Sequence, residues 1–176
     1  MTGATRDIAI ISTGGTIEKT YCQHDGSLRN EGSVLDLLLA SLDTSAVRIR
    51  RVALLDKDSL EMTEDDHDLI ARTVVDLAPT TDGIIIVHGT DRLAVTGERV
   101  HEAMIASGRM SLPVVLTGAM RPFELRTSDA TQNITEALIA VRILDPGVFC
   151  VMHGRVLPFP GVVKDRERGT FISSGE

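Results

Sequence analysis

The chain has 176 residues, enough to enclose one sizeable core, and its 43% hydrophobic and 24% charged composition excludes a disordered or membrane-embedded class. A formal charge of −7 speaks against broad attraction to phosphate backbones or anionic lipid, so neither nucleic acid nor membrane is expected as a partner. Cys22 and Cys150 lie far apart without metal-ligand spacing, so neither a disulfide framework nor a zinc site is suggested, and a cytoplasmic location fits.

In chain order, the apolar run Ile8–Ile11 is too short for a signal-peptide core and leads into Ser12-Thr13-Gly14-Gly15-Thr16, which reads as a strand followed by a turn. Helical spacing follows over Val34–Leu42 behind Ser33 as a cap, then a strand over Val47–Leu55 and a helix over Leu69–Leu77 with Thr63 as the capping residue upstream. The run Gly83–Val87 predicts a buried strand that ends in His88-Gly89-Thr90-Asp91, with a helix over Val95–Ala106 beyond it. Pro113–Leu116 predicts the next strand, followed by Thr117-Gly118-Ala119-Met120-Arg121-Pro122, a helix from about Asn133 to Ile143 and a strand over Val148–Met152.

Strands separated by helices long enough for crossovers predict an α/β fold: three layers, a mostly parallel sheet with helices on both faces, of Rossmann or flavodoxin type. Residues 1–176 show one composition regime, so a single domain is expected, without a second one. Ligands in such folds gather at the carboxyl ends of the strands, where the three Gly- and Thr-rich loops fall.

Paired glycines before Thr16 permit a sharp turn and close backbone approach, and a hydroxyl there can act as a nucleophile with amides behind it to stabilise an oxyanion. Taken alone, the motif also fits a plain turn with a capping threonine. A phosphate loop is disfavoured, because the Gly-Lys pair is missing and Glu18 precedes Lys19. Asp91 emerges at a buried rim and needs a cation: a substrate ammonium, Lys164, or Arg92 and the amides of the following helix. His88 reads as a hydrogen-bonded structural residue without a catalytic role. Lysine becomes a base only when burial or a neighbouring cation lowers its pKa, so Lys164 by itself reads as a surface charge. Ser128-Asp129-Ala130 reads as the capped start of the last helix, and the Gly118 turn as a support for the pocket floor.

Together and in order, Thr-Gly-Gly-Thr-Ile at 13–17, Asp-Ser-Leu-Glu-Met-Thr at 58–63, His-Gly-Thr-Asp at 88–91, Leu-Thr-Gly-Ala-Met-Arg-Pro at 116–122 and Lys164 resemble the bacterial-type L-asparaginases. The resemblance implies an amidohydrolase that converts L-asparagine to L-aspartate and ammonia, with weak or no glutaminase activity and no metal or organic cofactor. It makes Thr16 the nucleophile and Tyr21 a phenol that activates or positions it. It makes Thr90, Lys164 and Asp91 a proton-transfer set, and gives substrate binding to Thr16, Ser59, Thr90 and Asp91, with Asp91 on the α-ammonium and Ser59 on the α-carboxylate. It also implies a homo-oligomer, dimer or tetramer, for which the apolar face of Val34–Leu42 offers an interface. The other reading is a non-catalytic amino-acid-binding domain that uses the same zwitterion site.

The sequence departs from the family pattern in three places. Family members continue into a smaller C-terminal domain that supplies an acidic group to a neighbour's site, and without it one charge-assisted contact of about 1.5–3 kcal/mol is lost and affinity falls. Leu60 stands where many long-chain members carry a substrate-touching glutamine, and Tyr21 follows Thr16 sooner than in secreted members.

Overall fold

The computed structural model describes residues 5–22, 24, 26, 28–30 and 34–175. In chain order the strands are β1 (Arg6–Gly14), β2 (Lys19–Tyr21), β3 (Leu28–Asn30), β4 (Val47–Lys57), β5 (Gly83–Val87), β6 (Pro113–Thr117), β7 (Gly147–Met152), β8 (Arg155–Pro158), β9 (Val162–Asp165) and β10 (Thr170–Ser173). The helices are α1 (Val34–Ala40), α2 (Glu64–Leu77), α3 (Leu93–Ala106) and α4 (Ala130–Ile143). Six strands form one sheet in the order β4-β1-β5-β6-β7-β8, parallel throughout except for β8, which runs antiparallel to β7. The expected three-layer α/β architecture is the one observed.

The unbroken apolar runs follow from burial on both sides of this sheet. Ala9, Ile11, Ile84 and Ile86 pack with α2 and α3 in one core, while Ile8, Ile10, Ile85 and Val87 pack with α1 and α4 in the other. Successive side chains of a strand point to opposite faces, so a central strand covered twice must be apolar at every position. Ile8, Ile11, Ile84, Ile85 and Ile86 are fully buried, and each such side chain contributes about 1.5–3 kcal/mol.

Element bounds differ from the sequence reading where polar residues hide the period. Helix α2 starts at Glu64, five residues before the apolar spacing becomes visible, because its first turn is acidic. Thr63 accepts from the Asp66 amide while Asp66 accepts from the Thr63 amide at 2.8 Å, a reciprocal cap that satisfies two helix-end donors. Helix α4 likewise starts at Ala130, ahead of Asn133. Helix α1 ends at Ala40 rather than Leu42. Ser33, read as its cap, lies outside the described residues.

Leu35 and Leu38 are fully buried in the sheet's core, so the apolar face of α1 covers the protein's own strands rather than offering an interface. Only Leu37 of that segment, 69% exposed, points outward as a large hydrophobe. Among the described residues no helix is long and apolar enough to cross a membrane.

Candidate active site

Three loops at the carboxyl ends of β1, β4 and β5 pack backbone to backbone. Gly14 and Gly15 adopt φ of 90° and 88°, a region glycine enters freely, and this bends the chain from β1 into a single 3₁₀ turn, Thr16–Glu18. A Cβ on Gly15 would stand 2.5 Å from Gly89 Cα, and a Cβ on Gly89 would stand 2.5 Å from Ser59 Oγ. Neither position has room for a side chain. The Thr16 turn, the Gly89-Thr90 turn and Ser59 are thereby held against one another. Thr13 reinforces the join by donating its hydroxyl to the Val87 carbonyl at 3.1 Å, and it is fully buried.

A cationic arm reaches this cluster from far along the chain. Lys164 lies on β9, which pairs antiparallel with β10, with Lys164 opposite Phe171. Its Nζ is 2.8 Å from Thr90 Oγ1 and 3.0 Å from Asp91 Oδ1. Asp91 thus finds its cation inside the protein, as a buried-rim carboxylate requires. Arg166 adds a second, outer charge 3.7 Å from the same oxygen. The hairpin is fixed by Phe171, which is 1% exposed in the core, and by the Gly161 amide, which donates to Glu98 of α3 at 2.6 Å. The N-terminal boundary residue of α3 is Arg92, without a side-chain cap bond, so Asp91 serves Lys164 rather than the helix end.

Behind the Gly89 turn runs a buried chain of hydrogen bonds. His88 Nδ1 lies 2.8 Å from the Gly89 carbonyl and must donate to it, which leaves Nε2 to accept from Thr96 Oγ1 at 2.7 Å. Thr96 in turn lies 2.7 Å from His67 Nδ1, which donates to it. Burial holds the His88 imidazole down at about 4 and lowers His67 as well, so both rings are neutral near pH 7. The structural reading of His88 is the one observed. Sequence inspection missed His67 and Thr96, whose partners lie 29 and 8 residues from Thr96 and leave no local pattern.

The Gly118 turn is supported in the same manner. Asp129 accepts from the Met120 and Arg121 amides at 2.9 and 3.0 Å and lies 2.8 Å from His153 Nε2. These donors hold its carboxyl below the usual carboxylate range against the opposing effect of burial. The helix start at 128–130 was legible as a cap. Its side chains divide the work, Ser128 accepting from the Ala130 amide while Asp129 turns back to the loop. A Cβ on Gly118 would collide with the His88 carbonyl oxygen, so the third loop abuts the second.

Ser59 is 1% exposed and opens a 3₁₀ turn capped by Asp58, whose carboxylate also meets Lys19 at 2.7 Å. That ion pair, with Lys19 in β2, links the Thr16 segment to the Ser59 segment. Lys19, one feature of the disfavoured phosphate-loop reading, is therefore engaged internally. Tyr21, by contrast, is 57% exposed at the end of β2, its phenol oxygen 3.8 Å from where a Gly26 Cβ would stand. Its amide donates to Glu124 at 2.6 Å. The structure brings Thr16, Ser59, Thr90, Asp91 and Lys164 into one cluster and leaves the Tyr21 ring outside it. Leu60 is 59% exposed. Among the described residues no group of three or more His, Cys, Asp or Glu is placed to hold a metal ion.

The family model of the asparaginase N-terminal domain matches residues 7–170. The chain belongs to the asparaginase family. It is 32% identical over 152 residues to an L-asparaginase of Thermococcus kodakarensis, an alignment covering 85% of this chain and 45% of that protein. It is 29% identical over 153 residues to one of the subunits of the glutamyl-tRNA(Gln) amidotransferase of Methanobrevibacter smithii, covering 85% of this chain and 34% of that one. Among solved structures it superposes on the thermostable L-asparaginase from Thermococcus kodakarensis with a TM-score of 0.82 and 28% identity, over 95% of this chain and 51% of the other. L-asparaginase I from Vibrio cholerae gives 0.78 and 25%, over 97% and 52%. The chain thus spans a third to a half of the length of these relatives.

Proposed function

We propose that the chain is an L-asparagine amidohydrolase that works through Thr16. The observation carrying this reading is the convergence of two hydroxyl-bearing turns, joined at Gly15 and Gly89, with the amine of Lys164 hydrogen-bonded to the second hydroxyl. Thr16 Oγ attacks the side-chain amide carbon while Lys164, reacting as the unprotonated amine, takes the proton through Thr90 Oγ and becomes the ammonium that Asp91 holds. Backbone amides of the two turns bear the charge of the tetrahedral oxyanion. The intermediate collapses with a proton delivered to the departing nitrogen, leaving ammonia and an aspartyl ester on Thr16, which water then hydrolyses to L-aspartate. Asp91 orients the Lys164 amine and receives the substrate's α-ammonium, and Ser59 takes the α-carboxylate. Tyr21, assigned to positioning or activating Thr16, acts with its ring turned inward from the exposed setting described above.

No cofactor enters this scheme. The single-domain organisation, the cytoplasmic location and the dimer or tetramer belong to the proposal, the last without the α1 interface.

Ammonia release from asparagine and from glutamine tests the reading. Asparagine is expected to be the better substrate, and Thr16→Ala to lower its turnover at least about a thousandfold. Lys164→Met is expected to lower it about 10²–10⁴-fold. Unchanged ammonia release in Thr16→Ala overturns the mechanism, while calorimetric binding of aspartate without turnover points to the amino-acid-binding domain instead. A second reading is favoured by the amidotransferase relatives: the same amide chemistry supplying ammonia within a tRNA-dependent amidotransferase. It predicts release from asparagine or glutamine that rises when a partner protein and charged tRNA are added.

A further inference from the structure

Next to the Thr16 turn, the carboxyl ends of β1 and β4 frame a cavity of about 350 Å³ whose polar lining is Ser12, Glu18, Asp36, Arg51 and Asp56. None of Thr16, Ser59, Thr90, Asp91 or Lys164 lines it. Ser12 continues the face of β1 that carries Ile8 and Ile10, so the cavity lies on the α1 side of the sheet, where that core gives way to charge.

Two residues of the lining carry buried polar atoms without hydrogen-bond partners. Glu18 is 8% exposed, and its Oε1 is buried without a hydrogen-bond partner. Arg51 has buried Nε and Nη1 atoms in the same condition. Its Nε lies 3.3 Å from Asp36 Oδ1, an ion-pair separation that does not form a hydrogen bond. A buried acceptor and two buried donors therefore face one space without bonding each other, although pairing them would relieve both. Among the described residues the other buried side-chain atoms without a partner are one ring nitrogen each of His67 and His101, and neither residue lines this cavity. Unmatched groups of opposite character around one cavity call for a guest that brings a donor to one end and an acceptor to the other. A metal ion does not answer this, since among the described residues no three acidic or histidine side chains converge closely enough to hold one.

We propose that this cavity binds a small amino-carboxylate, its ammonium group on Glu18 and its carboxylate on Arg51. The guest spans the cavity as a bridge and makes the charge-assisted bonds that the two side chains do not make with each other. Because Thr16 and Glu18 belong to one 3₁₀ turn, the guest sits within a turn of the proposed nucleophile. The inference does not depend on the hydrolytic reading: it concerns binding alone, by residues outside the proposed reacting cluster.

Isothermal titration calorimetry on the full chain tests it, with glycine, β-alanine and γ-aminobutyrate as rulers of increasing charge separation. Butylamine and butyrate serve as single-charge controls. An Asp91→Asn background removes the ammonium contact of the proposed substrate site, so that heat arising there is recognised. At least one of the three is expected to bind with a Kd below about 10 mM, to keep its affinity in Asp91→Asn, and to lose about tenfold or more in Glu18→Gln and in Arg51→Gln. Circular dichroism on the two cavity variants establishes that the fold is retained, and their agreement guards against one of them failing to fold. No binding by any member of the series overturns the proposal. So does equal binding of butylamine or butyrate, or loss of the signal in Asp91→Asn with retention in Glu18→Gln.

Discussion

Gly15 and Gly89 occupy the two positions on which the geometry of the candidate site turns. At Gly15 an added Cβ meets the Gly89 backbone at 2.5 Å, and the φ of 88° disfavours any L side chain. Gly15→Ala is therefore expected to push the Thr16 turn away from Thr90. Ammonia release should fall at least about a hundredfold while circular dichroism shows the sheet intact. A variant that keeps wild-type turnover would show that the separation of the two hydroxyls does not matter to the chemistry. The two thiols offer a second residue-scale check. Cys150 is 1% exposed in β7, and burial pushes its thiol up to about 12, whereas Cys22 is partly exposed. A thiol reagent at pH 8 is expected to label Cys22 in the native protein and Cys150 only after unfolding. Mass spectrometry of the labelled chain reads the result.

At the scale of elements, the hydrogen-bonded chain behind the Gly89 turn ties α2, α3 and the end of β5 through three side chains. Thr96→Val keeps the shape and removes both the donor to His88 and the acceptor for His67, leaving two buried ring nitrogens without partners. A loss of about 1–3 kcal/mol in urea unfolding is expected, together with a fall in kcat that exceeds any change in KM, since the Gly89 carbonyl loses its fixed neighbour. Phe171→Ala acts on the other support. Emptying that core position is expected to cost about 3–5 kcal/mol and to lower turnover by loosening the hairpin that carries Lys164.

These supports also show what sequence reveals and what it hides. The buried strands were legible because a doubly covered strand is apolar throughout. The Gly-Gly and Gly-Thr turns were legible because backbone contact excludes side chains. The first turn of α2 was obscured by its acidic residues, and β8, β9 and β10 by short length and by Pro158 and Pro160 among them. The contact of Lys164 with Thr90 and Asp91 was legible through family resemblance rather than local chemistry: Lys164 lies 74 residues from Thr90, and nothing in its own neighbourhood announces the contact. The pairing of Asp129 with His153, 24 residues apart, went unread for the same reason.

Across the whole molecule, buried neutral histidine makes stability depend on pH. The unfolded chain binds a proton at His88 near 6.5, and the folded chain only near 4, so the unfolded state holds more protons between these values. Stability is expected to be full above about pH 6.5 and to decline as pH falls toward 4, by about 3 kcal/mol from His88, with His67 acting in the same direction. Asp66, held at about 2 by Lys57 and the Thr63 amide, and Asp129 extend the loss below 3.8. Urea midpoints measured at pH 7, 5.5 and 4.5 check the sign, and His88→Gln should flatten the slope. A midpoint that rises on acidification from pH 7 contradicts the burial described for these rings.

The arm that carries Lys164 is made late. A ribosome that has extruded residues 1–158 has released every strand of the main sheet, yet the amine that meets Thr90 and the Phe171 anchor that steadies it are still to come. A nascent chain can therefore assemble its scaffold before Lys164 reaches Thr90, and under the proposed mechanism reactivity arrives only when the β9–β10 hairpin docks. Supplying residues 159–176 as a separate peptide to a chain ending at 158 would convert that order of synthesis into a switch operated by hand.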